Sequence, residues 1–467
     1  MISIDTLPDD VLLAIFNYYV NGDAQDVTER EEAWQLLVHM CRRWRSIVFG
    51  SPRRLKLRLV CQERTRARDT LYVWPALPLV IWYNGDHRRG SVDNVIAVLE
   101  RRDRVCRINV ENVQSSDLEI LLAAMQQPFP ELTYLSIYSE DETVSVVPDS
   151  FLGGSAPSLQ SLWLSGIPFP GLPILLLSAT HLYNLHLLNL PHSGYTSPDM
   201  MVTALSSLTS LEYFTLKFQS PRSCPDRASR RLLPSTRSVL PVLTRFCFKG
   251  ASEYLENLVS RIDAPQLNDL GITFFNDIAF DTPQIMQIIS RSPTSRALEK
   301  VNITLRNRDS NLDFSSRTSG DGKVNVGILC QGLDWQLSSL EQVCTSCLPP
   351  LSTLEDLYIY EDPYSQPDWK DDVDNGLWLQ PLHPFTAVKN LYLSEQFALR
   401  IGPALQELAE GRTAEVLPAL QNIFLKGLQP SGPVQEGIRQ FVASRQVTSR
   451  PIAVSRWDNP DPESYGV

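Results

Sequence analysis

One apolar phrase, with its residues spaced first, fourth and sixth, returns eleven times along this chain. It runs from Val105, Ile108 and Val110 through Leu159, Leu162 and Leu164 to Leu420, Ile423 and Leu425. Successive copies start 23 to 34 residues apart, except for one interval of 56 between Leu298 and Leu354. A proline stands two residues before several copies, at Pro130, Pro157, Pro241, Pro265 and Pro418. Between copies lie stretches with helical periodicity, at 116–127, 198–207, 252–262, 283–292 and 397–411.

A short strand followed by a helix cannot bury its apolar face alone. Stacked on its neighbours it can, with a parallel sheet on one side and helices on the other. The expected fold is therefore α/β, a curved solenoid over residues 101–457 with the sheet on its concave side. Residues 51–100 join it as a linker and first strands, a strand at Ile452 and Val454 ends it, and residues 458–467 form a loose tail. Within each phrase the residue between the last two apolar positions faces outward from the sheet. Along the array that position holds Asn109, Ser136, Trp163, His186, Thr215, Cys247, Gly271, Asn302, Tyr358, Tyr392 and Phe424. Tyr358, Tyr392 and Phe424 should stand as an aromatic ladder, with Tyr360 beside it. Trp163 marks a second aromatic point on the face. Two arrangements fit the ladder: it is open to a protein partner, or the segment 452–457 folds over it. Lys217, Arg245, Lys249 and Lys300 project from the same face. Two interruptions, Arg306 to Lys323 and Glu361 to Asn375, read as surface loops, the second acidic with Tyr364 and Trp369 embedded.

The formal net charge of −11 argues against a general nucleic-acid or membrane-surface binder. The basic run Arg42 to Arg68 reads as a solvated helix face followed by edge-strand charge. No apolar run is long enough to span a bilayer, and Asp5, Asp9 and Asp10 stand where a leader would be basic and then apolar. The eight cysteines are scattered through apolar segments and read as reduced thiols, so a cytoplasmic or nuclear setting is expected.

The first fifty residues follow a different pattern. Leu7-Pro8-Asp9-Asp10 opens a helix, with proline where a donor is not needed and acids at the positive end of the dipole. Val11, Leu12, Ile15, Phe16 and Tyr19 follow at helical spacing. After a polar insertion, Thr28 with Glu31 offers a capping-box start for a second helix. That helix carries the stripe Trp34, Leu37, Val38, Cys41, Trp44 and Val48, and Gly50 with Pro52 ends it. About forty residues with this much apolar surface cannot form a core of their own, so the unit needs a neighbour or a partner.

The order Leu-Pro-x-Asp-Val-Leu-x-x-Ile-Phe, then Val-x-x-Cys-Arg-x-Trp-Arg-x-Ile, resembles the F-box, through which F-box proteins bind the Skp adaptor of cullin-RING ubiquitin ligases. The insertion Asn17 to Glu32 is longer than the family's usual one. The basic strand and the Trp74-Pro75 segment that follow are similar to those of F-box proteins common in mushroom-forming fungi. There such a segment leads into irregular leucine-rich repeats. The resemblance implies that Leu7, Pro8, Val11, Leu12, Ile15, Phe16, Val38, Cys41 and Trp44 hold the adaptor. The array would then present a protein substrate, with Trp163, Tyr358, Tyr360, Tyr392 and Phe424 as its contacts. The simpler alternative is a pair of helices that cap a leucine-rich-repeat binding scaffold without directing ubiquitin transfer.

Neither reading requires bond chemistry, a cofactor or a metal. Cys344 and Cys347 have zinc spacing but no second pair near them. Gly320-Asp321-Gly322-Lys323 lacks the first glycine and the hydroxyl residue of a phosphate loop. The six histidines are scattered.

Overall fold

The computed structural model describes residues 4–21, 27–62, 67–85, 92–141, 146–223, 237–275, 282–291, 299–315, 322–330, 332–346, 348, 351, 354–367, 374–409, 416–427, 433–447 and 450–457. The chain divides into two compact units, residues 1–196 with 203–211, and residues 197–202 with 212–467.

The first unit begins with three helices, α1 (Asp9–Asn21), α2 (Val27–Met40) and α3 (Arg42–Gly50). The single second helix expected from the sequence is two. Cys41 takes an extended conformation (φ −158°, ψ 169°) and caps α3, its Sγ accepting from the Trp44 N–H at 3.4 Å. The helix before it starts at Val27, one residue ahead of the expected cap at Thr28. Then follow β1 (Leu59–Gln62), α4 (Ala67–Val73), β2 (Leu79–Asn84), α5 (Val92–Leu99), β3 (Val105–Glu111) and α6 (Ser115–Ala124). After these come β4 (Tyr134–Tyr138), β5 (Ser161–Ser165), α7 (Leu172–Ser178) and β6 (Asn184–Leu190), with α8 (Pro198–Leu205) crossing the division.

Strands β1 to β6 pair in parallel in chain order. Leu55 and Leu57 are buried, but the chain turns there, with Lys56 at φ 50°, and pairing starts at Leu59. Residues 67–73, within the stretch expected as linker and strands, form α4.

A tight turn introduces strand after strand. The first leucine of the phrase donates its N–H to the carbonyl three residues back, as in Leu132 to Phe129, Leu159 to Ala156, Leu182 to Ala179 and Leu211 to Leu208. The second unit repeats it in Leu243 to Leu240, Leu267 to Ala264, Leu354 to Leu351 and Leu420 to Leu417. The recurring prolines occupy the second position of these turns, where a fixed φ is wanted and no donor is lost.

The second unit contains β7 (Tyr213–Phe218), β8 (Ser238–Val239), β9 (Arg245–Gly250), α9 (Ser252–Val259), β10 (Ile262–Asp263), β11 (Asp269–Phe274) and α10 (Pro283–Arg291). It continues with β12 (Lys300–Leu305), β13 (Asp309–Ser315), β14 (Val324–Leu329), α11 (Leu333–Ser346), β15 (Asp356–Glu361) and α12 (Asn375–Leu379). It ends with β16 (Asn390–Leu393), α13 (Glu395–Ala409), β17 (Asn422–Leu425), α14 (Pro433–Val447) and β18 (Ala453–Arg456). Strands β8 and β10 pair apart from the main sheet. The main order is β7-β9-β11-β14-β13-β12-β15-β16-β17-β18.

The stretch Arg306 to Lys323 within the 56-residue interval, expected as a surface loop, holds a strand instead. Residues 309–315 form β13, antiparallel to both β12 and β14. The pattern that makes it a strand is Ser310, Leu312 and Phe314 inward, Asn311, Asp313 and Ser315 outward. Serine, aspartate and asparagine at the solvent-side positions hide that alternation among loop-like residues. Ile328 belongs to β14, and the helix α11 starts at Leu333.

Every described apolar position of the eleven phrases is buried, and Leu298 lies outside the described residues. Each unit is thus an α/β repeat array of leucine-rich-repeat type, and the second contains an antiparallel meander. β18 pairs with β17 where an end strand was expected, and the tail 458–467 lies outside the described residues.

Candidate binding surfaces

The helical unit divides its apolar residues between buried and exposed positions. Leu12, Phe16, Trp34, Val38 and Val48 are buried. Phe16 meets Trp44 with ring centroids 4.8 Å apart. Trp34 joins Trp74 at 5.1 Å and donates from Nε1 to the Arg58 carbonyl at 2.8 Å, which ties α2 to the approach to β1. Arg43 clasps the start of α1, its Nη2 donating to Asp9 Oδ1 and to the Leu7 carbonyl, both at 2.6 Å. Arg45 Nε donates to the Val38 carbonyl at 2.9 Å and satisfies one of the free carbonyls at the end of α2.

Other apolar residues of the same helices are exposed. Val11 and Ile15, one turn apart on α1, are 39% and 42% exposed, and Leu36 and Met40, one turn apart on α2, are 62% and 67% exposed. Of the nine residues expected to hold an adaptor, Pro8, Val11, Ile15 and Cys41 are exposed, and Leu7 and Trp44 are half-buried. Leu12, Phe16 and Val38 are buried in this structure. Trp44 Nε1 is enclosed with no acceptor among the described residues. Leu36, Met40 and Arg43 were not singled out in the sequence. Leu36 and Met40, four apart, stand about half a turn round the helix from Val38, off the stripe read in the sequence.

On the array, the residues expected to face outward stand in register rows. In the first unit Trp82, Asn109, Ser136, Trp163 and His186 are consecutive partners. Trp163 stacks on His186 with centroids 3.6 Å apart, and its Nε1 donates to Ser161 Oγ at 3.0 Å. In the second unit Asn302, Tyr358, Tyr392, Phe424 and Ser455 are consecutive partners.

The expected ladder is formed. Tyr358 stacks on Tyr392 at 4.0 Å and Tyr392 on Phe424 at 4.5 Å, with interplanar angles of 5° and 9°. Trp457 meets Tyr358 and Tyr392 edge-on at 5.8 and 5.7 Å and is itself buried. The segment 452–457 lies beside β17 as a strand rather than over the ladder, Trp457 alone of it leans on Tyr358 and Tyr392, and the three ladder rings stay half-buried. Lys300 Nζ stands 4.3 Å from the Tyr358 centroid, and burial lowers its pKa against the opposing pull of Asp356. Tyr360 stands in the adjacent row beside Thr304, and burial raises its phenol pKa.

Below the ladder a polar row runs across the strands. Asn422 Nδ2 donates to Asn390 Oδ1 at 2.7 Å, and Asn390 Nδ2 to Asp356 Oδ1 at 2.6 Å. Arg245, expected to project freely, pairs with Asp269 at 2.7 Å and lies over the Tyr213 ring. In the acidic interruption, Asp362 pairs with Arg306 at 2.8 Å, an interaction that holds its carboxyl below the ordinary range, and Tyr364 is fully exposed. Trp369 and Cys347 lie outside the described residues. Among the described residues no group of three or more metal-ligating side chains forms, and no helix is long and apolar enough to cross a membrane.

No protein-family model matches the chain, and no curated protein matches it. Among solved structures it is similar to the leucine-rich repeat-containing protein LegL7 from Legionella pneumophila. The identity is 12%, over 82% of this chain and 97% of that one, with a TM-score of 0.26. A likeness that shallow adds nothing to the surfaces described above.

Proposed function

We propose that this chain is a substrate-recruiting subunit of an SCF-type ubiquitin ligase, of the F-box type with irregular leucine-rich repeats common in mushroom-forming fungi. The N-terminal helices dock the Skp adaptor, and the repeat array holds a protein substrate. The observation that carries the reading is the exposure of two apolar pairs, Val11 and Ile15 one turn apart on α1, and Leu36 and Met40 one turn apart on α2. Large apolar side chains left in water at successive helical turns are a usual mark of a protein interface. They coincide with the F-box-like phrase on α1. The contribution of such a subunit is proximity, raising the local concentration of substrate lysines near the ubiquitin-carrying enzyme.

The test is co-purification with a Skp adaptor, wild type beside Val11→Asp/Ile15→Asp. Both residues are exposed, so the pair should leave the circular dichroism of the chain unchanged while abolishing adaptor capture. Capture by neither folded protein would reject the docking assignment and leave a repeat scaffold with three capping helices.

A further inference from the structure

Glu111, Asn112, Ser136, Tyr138, Trp163 and Ser165 line a depression of about 260 Å³ on the outward face of the first unit. The register explains it. Ser136 stands between Asn109 and Trp163 on adjacent strands, so a small side chain adjoins a wide indole and leaves a gap. His186 covers the other side of that indole. The rim is acidic. Its carboxylate is Glu111, which accepts one hydrogen bond, from Asn109 Nδ2 at 2.7 Å, and so keeps its second oxygen available.

An aromatic face beside a carboxylate suits a cation whose charge is spread over a plane. The chain already uses this arrangement internally. The Arg107 guanidinium lies 4.2 Å from the Tyr134 centroid, and Arg245 lies over Tyr213 at 5.6 Å while paired with Asp269. We propose that the depression receives the side chain of an arginine from a partner protein, stacked on Trp163 and hydrogen-bonded through its guanidinium to Glu111. A lysine ammonium is more strongly hydrated and lacks the flat face, so it fits less well. The net charge of −11 favours a basic partner. This inference rests on the array being a protein-binding face, and it does not depend on the docking helices.

The experiment uses the full chain with its tryptophans labelled with ¹⁵N at the indole, and Trp163→Phe to assign the Trp163 resonance. The probes are N-acetyl-arginine amide, N-acetyl-lysine amide and N-acetyl-citrulline amide, the last having the shape of arginine without its charge. The expected result is a saturable shift of the Trp163 indole with arginine, a weaker one with lysine and none with citrulline. Glu111→Gln should weaken arginine binding roughly fivefold to tenfold, the worth of one charge-assisted contact at an open site. Ser136→Phe, which fills the gap from an outward position, should abolish it. A Trp163 resonance that stays still with arginine, or moves equally with citrulline, overturns the proposal. Adaptor capture by the Glu111→Gln chain should be unchanged, so a failure here is distinct from a failure of the ligase reading.

Discussion

Trp457 stands edge-on to Tyr392, ring centroids 5.7 Å apart and planes at 67°, as the last described residue of the chain. Its backbone N–H donates to the Leu425 carbonyl at 2.9 Å. Its indole spans two rungs of the ladder at once, because it also meets Tyr358. Trp457→Ala should open this end of the second unit by about 3 kcal/mol, the lower end for loss of a buried indole. Because repeat arrays open locally, the readout is amide exchange at Phe424 and Leu425, expected to quicken roughly a hundredfold. Unchanged exchange would mean that the stacked rings hold β17 without the indole.

Asp313 is a carboxyl of the meander, facing outward yet largely enclosed, and it accepts hydrogen bonds from Asn325 and, at 2.9 Å, from Asn311. Burial raises its pKa above the ordinary carboxylate value, against those hydrogen bonds and the pull of Arg306. The folded state then holds a proton that the unfolded chain has already released. Stability contributed here is present below the unfolded pKa and is lost as pH rises through the folded one. Amide exchange across β13 should accordingly quicken from acid toward neutral pH beyond the intrinsic rate. Asp313→Asn should remove that slope, and an equal slope in the variant would assign it to another group.

Cys330 sits buried at the end of β14, where desolvation, with a smaller contribution from Asp334, pushes its thiol up to about 11. The thiolate is the reactive form, so near neutral pH about one molecule in ten thousand presents it. Cys41, by contrast, is exposed at the cap of α3. Brief alkylation with iodoacetamide followed by peptide mass spectrometry should label Cys41 first and leave Cys330 unmodified until the chain is unfolded.

Arg445 reaches from α14 to the turn before β17, its Nη2 donating to the Val416 carbonyl at 2.5 Å and the Leu417 carbonyl at 3.3 Å. Leu417 is left-handed, with φ at 48°, a conformation unfavourable for a residue with a branched side chain. The guanidinium thus satisfies two carbonyls of a strained turn. Arg445→Leu should cost about 2 kcal/mol, because a buried acceptor left without its donor keeps its full desolvation penalty. The check is the urea midpoint of the variant together with exchange at Leu420, whose N–H closes that turn.

The inward phrase was legible because each copy has three apolar residues at fixed spacing, and several follow a turn whose proline announces itself. The outward rows followed from it, since residues alternate across a strand whatever their chemistry. Stacking of Tyr358, Tyr392 and Phe424 needed only the register of three strands. The meander was not legible, because Asn311, Asp313 and Ser315 resemble a loop when their inward partners are not known. The depression at Trp163 depends on Ser136 being small and on Glu111 lying within reach, and no spacing in the sequence joins those two facts. The break at Cys41 escaped notice for a related reason, since apolar spacing continues through a cap that interrupts the helix.

Lys249 and Tyr360 belong to one register row of the second unit, with Thr273, Gly327, Asn311 and Thr304 between them. Five strand steps of about 4.8 Å place them roughly 24 Å apart, the reach of about seven extended residues. Two of those steps are owed to the inserted meander. The interruption in the repeat therefore works as a ruler: it sets how many residues must separate an acidic side chain from an apolar one in any segment that engages both ends of the row.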